Sequence, residues 1–234
     1  MRWLLCLLVF AFAGNSWSQV LFSDNFNGAV LDTGKWSVTS FDGGWVTTGD
    51  GELTLNHPAT YGQGVFVMTT AEFTSPYTVT SSFSSYPNYA INGIILRASG
   101  AYDPLIYNDP CGLMVNFYFG GVVEVQNANP TNGSILLTLP YSYDVNSWNT
   151  FSITDYGNQL DVILNGVLII DKLPIENSHG VGKKIILADG DNLSPSMPSS
   201  KFGPITVTAV PEPSAFSLLA IGLGRLAMMR RRRS

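Results

Sequence analysis

A series of short β-type segments, separated by turn-forming residues, constrains the fold of this chain most strongly. Val, Ile, Thr, Tyr and Phe dominate the segments, and Gly, Asn, Asp and Pro separate them. The segment Gln159–Leu164 runs into Asn165-Gly166, a pair that accepts the positive φ angles of a type I′ hairpin turn. The sequence shows neither a repeat of fixed period nor a capped amphipathic helix. This pattern predicts an all-β antiparallel sandwich or barrel.

Other segments support the same prediction. A second hairpin is predicted where segments 113–119 and 122–126 flank Gly120-Gly121, and the turn 155–158 follows a strand at 151–154. Further strands are predicted at 64–69, 77–84, 91–98, 184–188 and 205–209. The last of these is followed directly by Val210, so we expect one β-sandwich domain over residues 19–209 with almost no linker after it.

The N-terminal segment has the pattern of a signal peptide. Arg2 precedes the apolar run 3–12, and small and polar residues follow over 13–19. This order predicts a signal peptide at residues 1–18, cut before Gln19, and export by Sec-type machinery. A cut after Ala13 is the alternative. Removal of the segment leaves Cys111 as the single cysteine, so no internal disulfide is expected.

The C-terminal segment, residues 210–234, has three parts in a fixed order. It begins with Val210, Pro211, Glu212 and Pro213, continues with the apolar run 214–229, and ends with Arg230, Arg231, Arg232 and Arg233. The two prolines exclude a helix through the motif. As a helix at about 1.5 Å per residue, the run would measure about 24 Å, which is shorter than a bilayer core of about 30 Å. The arginine block indicates the cytoplasmic side.

This order of motif, apolar run and arginines resembles the PEP-CTERM sorting tail of exported bacterial proteins. The resemblance implies recognition and cleavage near Glu212 by an exosortase-like membrane protease. The protein would then be anchored in the inner membrane only transiently, by a C-terminal hydrophobic helix, before it reaches the cell surface or extracellular matrix. An ordinary single-pass anchor is the alternative, and Arg225 interrupts the apolar run for either role.

The body resembles the concanavalin A-like sandwich superfamily, which includes laminin G-like modules and family 16 glucanases. Three stretches carry the resemblance: residues 148–153 with the Asn165-Gly166 hairpin, the opening 21–28, and Trp45 followed by 49–53. The resemblance implies an antiparallel jelly-roll sandwich between the signal peptide and the C-terminal helix. Another jelly roll or sandwich is the alternative.

The acid residues do not match those of the sandwich glucanases. Those enzymes carry the pattern Glu-x-Asp-x-x-Glu, and a retaining mechanism needs its two carboxyl groups about 5–5.5 Å apart. The nearest spacing begins at Glu124, but Gln126 and Asn129 occupy the positions of the other acids. His57 and His179 lack a supporting metal or triad motif. We therefore predict that the chain is not an enzyme, with a divergent glycoside hydrolase as the alternative.

Charge limits the class of partner. Between Gln19 and Val210 there are six Lys and Arg residues against sixteen Asp and Glu residues. Such an acidic body argues against a nucleic-acid partner and suits a soluble exported domain. A neutral extracellular polysaccharide is compatible with this charge.

Aromatic residues near polar ones supply candidate glycan-binding positions, because a ring offers an apolar face and a tyrosine adds a polar tip. The candidates are Trp45, Tyr86, Tyr89, Tyr102 and Tyr107. The alternative is that these rings pack in the core or cover the sheet edges.

One acidic segment is a candidate metal site. Asp189, Asp191 and Asn192 surround a glycine in a predicted loop, and oxygen side chains suit calcium. An Asx turn is the alternative, and no other cofactor is predicted. The sequence thus predicts an exported, non-catalytic sandwich that binds glycan or exopolysaccharide in the cell envelope or matrix. A structural surface protein without a small ligand is a further alternative.

Overall fold

In the computed structural model, two antiparallel sheets face each other across a shared apolar layer. The structure describes residues 18–40, 43–56, 65–86, 90–100, 112–118, 120–127, 133–144, 147–176, 179–180, 182–191 and 199–211, without the side chains of 85, 86, 90, 91, 190 and 191. The strands within these ranges are β1 (Val20–Asp24), β2 (Trp36–Ser40), β3 (Trp45–Gly49), β4 (Glu52–Asn56), β5 (Val65–Thr69), β6 (Tyr77–Tyr86), β7 (Ala90–Ala98), β8 (Leu113–Tyr118), β9 (Val122–Asn127), β10 (Ser134–Pro140), β11 (Asn149–Asp155), β12 (Gln159–Leu164), β13 (Val167–Pro174), β14 (Lys184–Asp191), β15 (Ser199–Phe202) and β16 (Ile205–Ala209).

The two sheets differ in size and in the parts of the chain they combine. The seven-stranded sheet has the order β10-β9-β8-β7-β14-β5-β2. The nine-stranded sheet has the order β13-β12-β11-β6-β15-β4-β3, and β16 pairs with β6 and with β1. The long strand β6 pairs with β15 over its second half and with β16 over its first half. Strands distant in sequence therefore become neighbours in both sheets.

The predicted hairpins are confirmed. Asn165 and Gly166 have φ angles of 51° and 77°, and Leu164 pairs with Val167 across the turn. In the second hairpin Gly121 has a φ of 70°, and Tyr118 pairs with Val122. These conformations are those that Asn and Gly tolerate best, so local turn chemistry determines the register of both hairpins. The predicted all-β antiparallel sandwich is confirmed for the described residues.

The predicted end of β14 is wrong. The prediction placed a strand at 184–188 and a loop beyond it, whereas β14 continues through Asp191. Asp189 pairs with Asn92 of β7 and has no solvent exposure. The Ser200 hydroxyl donates a 2.6 Å hydrogen bond to its Oδ1 from the other sheet. This bond offsets part of the cost of burying a carboxylate, so the strand extends through an acidic residue.

Alternation along the strands produces the apolar layer. In β9, Val123 and Val125 are fully buried, whereas Glu124 between them points to the opposite face. Phe83 of the nine-stranded sheet stacks on Phe117 of the seven-stranded sheet, with ring centroids 4.5 Å apart. One face of each sheet is thereby used for packing in this layer. A second, smaller buried cluster, Phe66, Ile95, Ala98, Ile186 and Ala188, covers part of the other face of the seven-stranded sheet.

A buried ion pair joins the two sheets near one end of β6. Arg97 of β7 donates from Nε to Asp155 Oδ2 at 2.7 Å and from Nη2 to Asp155 Oδ1 at 2.5 Å. Nη2 also donates to the Gly157 carbonyl at 2.7 Å, and the Gly157 amide donates to Asp155 Oδ1 at 2.8 Å. Hydrogen bonding to Asp155 raises the pKa of Arg97 against the opposing effect of burial. The paired groups satisfy each other where Asp155 has no solvent exposure and Arg97 has little.

Both terminal segments extend beyond the described residues. No helix in the described ranges is long and apolar enough to cross a membrane. The predicted signal peptide lies almost wholly outside those ranges, as do Cys111, Glu212, Pro213, the predicted C-terminal helix and the arginine block. The predictions made for these segments stay predictions.

The Arg97–Asp155 pair predicts a large stability loss when one partner is removed. Asp155→Ala leaves a buried guanidinium without its carboxylate, so the free energy of unfolding should fall by about 3–5 kcal/mol. Glu52→Ala is the control, since Lys201 and Glu52 also form an ion pair, 3.0 Å long, but their side chains are 37% and 35% exposed. Its loss should be at most about 1 kcal/mol. Equal losses in urea denaturation would contradict the assigned role.

Candidate functional site

The outward face of the seven-stranded sheet carries a row of polar side chains across β8, β9 and β10. The register places Asn116 opposite Glu124, and Glu124 opposite Thr138. Val115 and Phe117 are buried in the core on either side of Asn116, so the polar row faces away from the core. We call Asn116, Tyr118, Glu124, Gln126 and Thr138 the Glu124 site.

Glu124 lies at the centre of this site and accepts hydrogen bonds on both carboxylate oxygens. The Tyr118 hydroxyl donates to Oε1 at 3.0 Å, and the Thr138 hydroxyl donates to Oε2 at 3.3 Å. Glu124 and Tyr118 are half-buried, and Thr138 is exposed. The carboxylate is therefore oriented by two neutral hydroxyl groups while it remains in reach of solvent.

Tyr118 is protonated throughout the neutral range. Burial is the main cause that raises its pKa to about 12, and the Glu124 charge and the hydrogen bond to Glu124 act in the same direction. A hydrogen bond with Asn116 acts in the opposite direction. Tyr118 therefore serves the site as a neutral hydrogen-bond donor.

An apolar patch adjoins the polar row on the same face. Its buried members are Phe66, Ile95, Ala98, Ile186 and Ala188, with Met68 and Met114 packed against them. The Gln126 amide donates to the Met114 sulfur at 3.3 Å, which connects the patch to the site. At the boundary, a Cβ on Gly93 would lie 3.0 Å from Asn116 Oδ1 and 3.3 Å from Ala188 Cβ. The absence of a side chain at Gly93 thus leaves room for the Asn116 amide.

The site presents one carboxylate for chemistry. Among side chains described on the strands of this sheet, the acids are Glu124 and Asp189, and Asp189 lies between the sheets. In the described ranges, no three His, Cys, Asp or Glu side chains are grouped to hold a metal ion. Asn116 is buried, so the arrangement offers a polar ligand one base, one neutral donor, the Gln126 amide and the Thr138 hydroxyl.

The predicted glycan-binding residues do not coincide with the Glu124 site where they are described. Trp45 is exposed on β3, at the edge of the nine-stranded sheet. Tyr86 ends β6, but its side chain is outside the description, as are Tyr89, Tyr102 and Tyr107 altogether. The predicted tyrosine cluster therefore stays a prediction.

The predicted calcium loop is changed by the extension of β14. Asp189 faces Ser200 inside the sandwich and not a loop surface. Asp191 belongs to β14 without a described side chain, and Asn192 lies outside the described residues. The calcium hypothesis placed Asp189 and Asp191 in a loop. This placement is wrong, because both residues lie in β14.

A separate cavity of about 220 Å³ lies beside β1 and the segment that follows it. Its lining includes Asp24, Asp32 and Lys35. Asp24 accepts hydrogen bonds from the Trp36 indole at 2.7 Å and the Phe26 amide at 3.0 Å, and Asp32 accepts one from the Gly34 amide at 2.9 Å. These carboxylates hold local backbone and the Trp36 ring, so we assign them a structural role.

The chain belongs to the family of 3-keto-alpha-glucoside-1,2-lyase-like domains, whose model matches residues 21–206. No curated protein matches its sequence.

Solved structures share the fold at low identity. An endo-acting O-glycanase from the human gut microbiota has a TM-score of 0.61 and 15% identity, and the match covers 82% of this chain and 100% of the glycanase. The Bacillus licheniformis β-glucanase has a TM-score of 0.59 and 13% identity over 82% of this chain and 98% of its own. The carbohydrate-binding module CBM66 from Bacillus subtilis has a TM-score of 0.53 and 14% identity over 75% and 96%. These likenesses establish a concanavalin A-like sandwich fold.

The environment of Tyr118 predicts how its hydroxyl titrates. The pKa should fall from about 12 in Glu124→Gln, because the neighbouring negative charge is removed, but should stay above the ordinary value of 10.0 because burial is the larger cause. The pKa of Tyr118 is higher in the folded state than in the unfolded chain, so protonated Tyr118 stabilises the fold. This contribution to the free energy of unfolding is full below pH 10.0 and is lost as the pH rises toward about 12. Ultraviolet difference titration of wild type, Tyr118→Phe and Glu124→Gln measures the shift. An unchanged Tyr118 pKa in Glu124→Gln would contradict the contact.

Proposed function

We propose that the chain is an exported, non-catalytic domain that binds glycan through the Glu124 site. The observation that carries the proposal is the oriented carboxylate on an outward sheet face, held by the Tyr118 and Thr138 hydroxyls within reach of solvent. Carboxylate, amide and hydroxyl groups on neighbouring strands are complementary to the many hydroxyl groups of a sugar. The names of the structurally similar proteins, a glycanase, a glucanase and a carbohydrate-binding module, support the same ligand class.

The number of acids in the site favours binding over hydrolysis. Both common mechanisms of glycoside hydrolysis use a pair of carboxyl groups, about 5–5.5 Å apart when configuration is retained and about 6.5–9.5 Å apart when it is inverted. Glu124 has Tyr118 and Thr138 as its bonded neighbours, and neither replaces a second carboxylate. Gln126, at the next outward position of β9, is an amide. This donor set supports recognition of a sugar without its cleavage.

A lyase is the second candidate function, and membership of the lyase-like family favours it. In a 1,2-elimination from a 3-keto glucoside, a base removes the C2 proton, which the adjacent ketone acidifies. The C1–O bond then breaks, and the departing oxygen takes up a proton. Such a reaction needs one base, for which Glu124 is placed, and Tyr118 would donate a hydrogen bond to substrate oxygen. It does not need the second carboxylate of a hydrolase.

The terminal segments support the proposal of export. The signal-peptide pattern over 1–18 and the tail over 210–234 are the two halves of an export and sorting route. We infer that an exosortase-like protease cuts near Glu212 and releases the sandwich to the cell surface or matrix. Because β16 ends at Ala209, such a cut would leave the described strands intact.

Binding at the Glu124 site predicts a specific loss in two conservative variants. A glycan array on the purified full chain identifies the ligand. Glu124→Gln and Tyr118→Phe should then weaken its binding about tenfold, because the first replaces the charge and one acceptor oxygen with an NH2 donor and the second removes the donor to Glu124 Oε1. Glu72→Gln is the control, since Glu72 is an exposed carboxylate away from the site, and should bind like wild type. Equal affinity of all three variants would reject the site.

The same proteins separate binding from catalysis. Incubated with a 3-keto disaccharide, the wild type should leave the substrate intact under the binding proposal. A product that forms with the wild type and is absent with Glu124→Gln would establish the lyase in its place.

The export proposal predicts the mass of the mature protein. In a host that carries an exosortase, intact-mass spectrometry should find a chain without residues 1–18 and without the arginine block. A mature form that still carries Arg230, Arg231, Arg232 and Arg233 would contradict processing. Separately, a variant that ends at Val210 should unfold thermally like the full chain.

A further inference from the structure

Two exposed aromatic rings bracket β11 on the outward face of the nine-stranded sheet. Trp148 immediately precedes the strand and Tyr156 immediately follows it. Their side chains are 44% and 37% exposed, so both rings are accessible to a ligand. The outward residues of β11 alternate with buried ones, and positions 148 and 156 continue the outward series. At about 3.3 Å per residue, the two positions lie about 26 Å apart along the strand.

Neutral hydroxyl groups fill the space between the two rings. The outward positions of β11 are Thr150, Ser152 and Thr154, and the register places Ser82, Thr80 and Thr78 beside them on β6. The Thr78 and Thr154 hydroxyls are hydrogen-bonded at 2.9 Å, and Thr80 donates to Ser152 at 3.4 Å. The bonds between strands hold these groups in fixed positions, and each hydroxyl retains capacity for a further hydrogen bond.

Both rings are held by their surroundings. A Cβ on Gly203 would lie 3.7 Å from Trp148 Cζ3 and 2.2 Å from the Ser82 hydroxyl, so the glycine allows the ring and the hydroxyl to approach the backbone closely. Partial burial, and then a hydrogen bond to Asp161, raise the pKa of Tyr156. Rings that are already fixed lose little conformational entropy when a ligand stacks on them.

We propose that the row Trp148, Thr150, Ser152, Thr154 and Tyr156, here called the β11 track, binds one extended neutral polysaccharide chain. The apolar faces of the sugar rings would stack on the aromatic rings, and the sugar hydroxyl groups would bond to the threonine and serine hydroxyls. The track between the rings contains no ionisable side chain, and the excess of acidic residues in the body disfavours an anionic chain.

The β11 track is independent of the Glu124 site, because the two lie on opposite outward faces of the sandwich. A domain with a binding surface on each face joins two glycan chains. When both surfaces bind chains of the same matrix, the second binding event takes place at a high effective concentration. The protein is therefore retained more strongly in the matrix without any additional contact.

Depletion isotherms of the full chain on amorphous cellulose, xylan and agarose, with alginate as the anionic comparison, test the β11 track. We expect binding to at least one neutral polymer, and weakening of roughly tenfold in Trp148→Ala and in Tyr156→Ala. Trp148→Phe keeps a ring face and should retain most of the affinity. Trp45→Ala is the matched control, because its indole is 45% exposed on the same sheet but stands at β3, away from β11, and it should bind like wild type.

Several results would overturn the proposal. They are an absence of binding to all three neutral polymers, stronger binding to alginate, or an equal loss in Trp45→Ala. Concentration-dependent dimerisation that Trp148→Ala abolishes would also overturn it, by showing that a second copy covers the track. Trp148→Ala made in the Glu124→Gln background separates this proposal from the function proposed above, since the loss caused by Trp148→Ala should persist whether or not the Glu124 site binds. Unfolding curves like that of wild type for each variant exclude misfolding as the cause of a loss.

Discussion

Burial of one face of each sheet in a shared apolar layer determines which side chains remain for ligands. Phe83 and Phe117 stack across this layer, and fully buried residues such as Val123 and Val125 alternate with outward ones along the strands. Since the inward positions are fixed by packing, the outward positions are free to differ between the two sheets. The seven-stranded sheet presents a carboxylate, amides and hydroxyls, and the nine-stranded sheet presents hydroxyls between two aromatic rings. The second buried cluster around Ile95 and Ile186 occupies part of the outward face of the seven-stranded sheet, so the accessible polar side chains there are those around Glu124.

Polar contacts inside the layer fix how the two faces are placed. Arg97 and Asp155 join the sheets at one end of β6, where Asp155 pairs with Tyr77. Asp189 and Ser200 join them near the other end of β6, where Ser200 pairs with position 85. At about 3.3 Å per residue, these positions on β6 are separated by about 26 Å. Buried, hydrogen-bonded polar groups have strict geometric requirements, so they resist sliding of one sheet over the other. Two binding surfaces on opposite faces would consequently act as one rigid connector.

Local chemistry explains which features could be predicted from the sequence. The Asn165-Gly166 hairpin depends on the φ preferences of two adjacent residues, and it was predicted correctly. The Glu124 site depends on the strand order, because Asn116 and Thr138 reach Glu124 only through the pairing of β8, β9 and β10. Likewise, Thr78 and Thr154 are hydrogen-bonded although 76 positions separate them.

Trp148 and Tyr156 were recognised only as signs of a strand and a turn, since a single sequence does not show which face is solvent-exposed. The loop predicted around Asp189 was wrong because a tertiary contact with Ser200 outweighed the local preference of Asp and Gly for turns.

The central claim is that glycan binds to the outward face of the seven-stranded sheet around Glu124. Amide chemical-shift mapping of the full chain by NMR, during titration with a glycan that binds it, tests this claim most directly. The account predicts that the largest shift changes fall in β8 (Leu113–Tyr118) and β9 (Val122–Asn127). Changes confined to β3 (Trp45–Gly49), or spread over the surface without any concentration on β8 and β9, would contradict it.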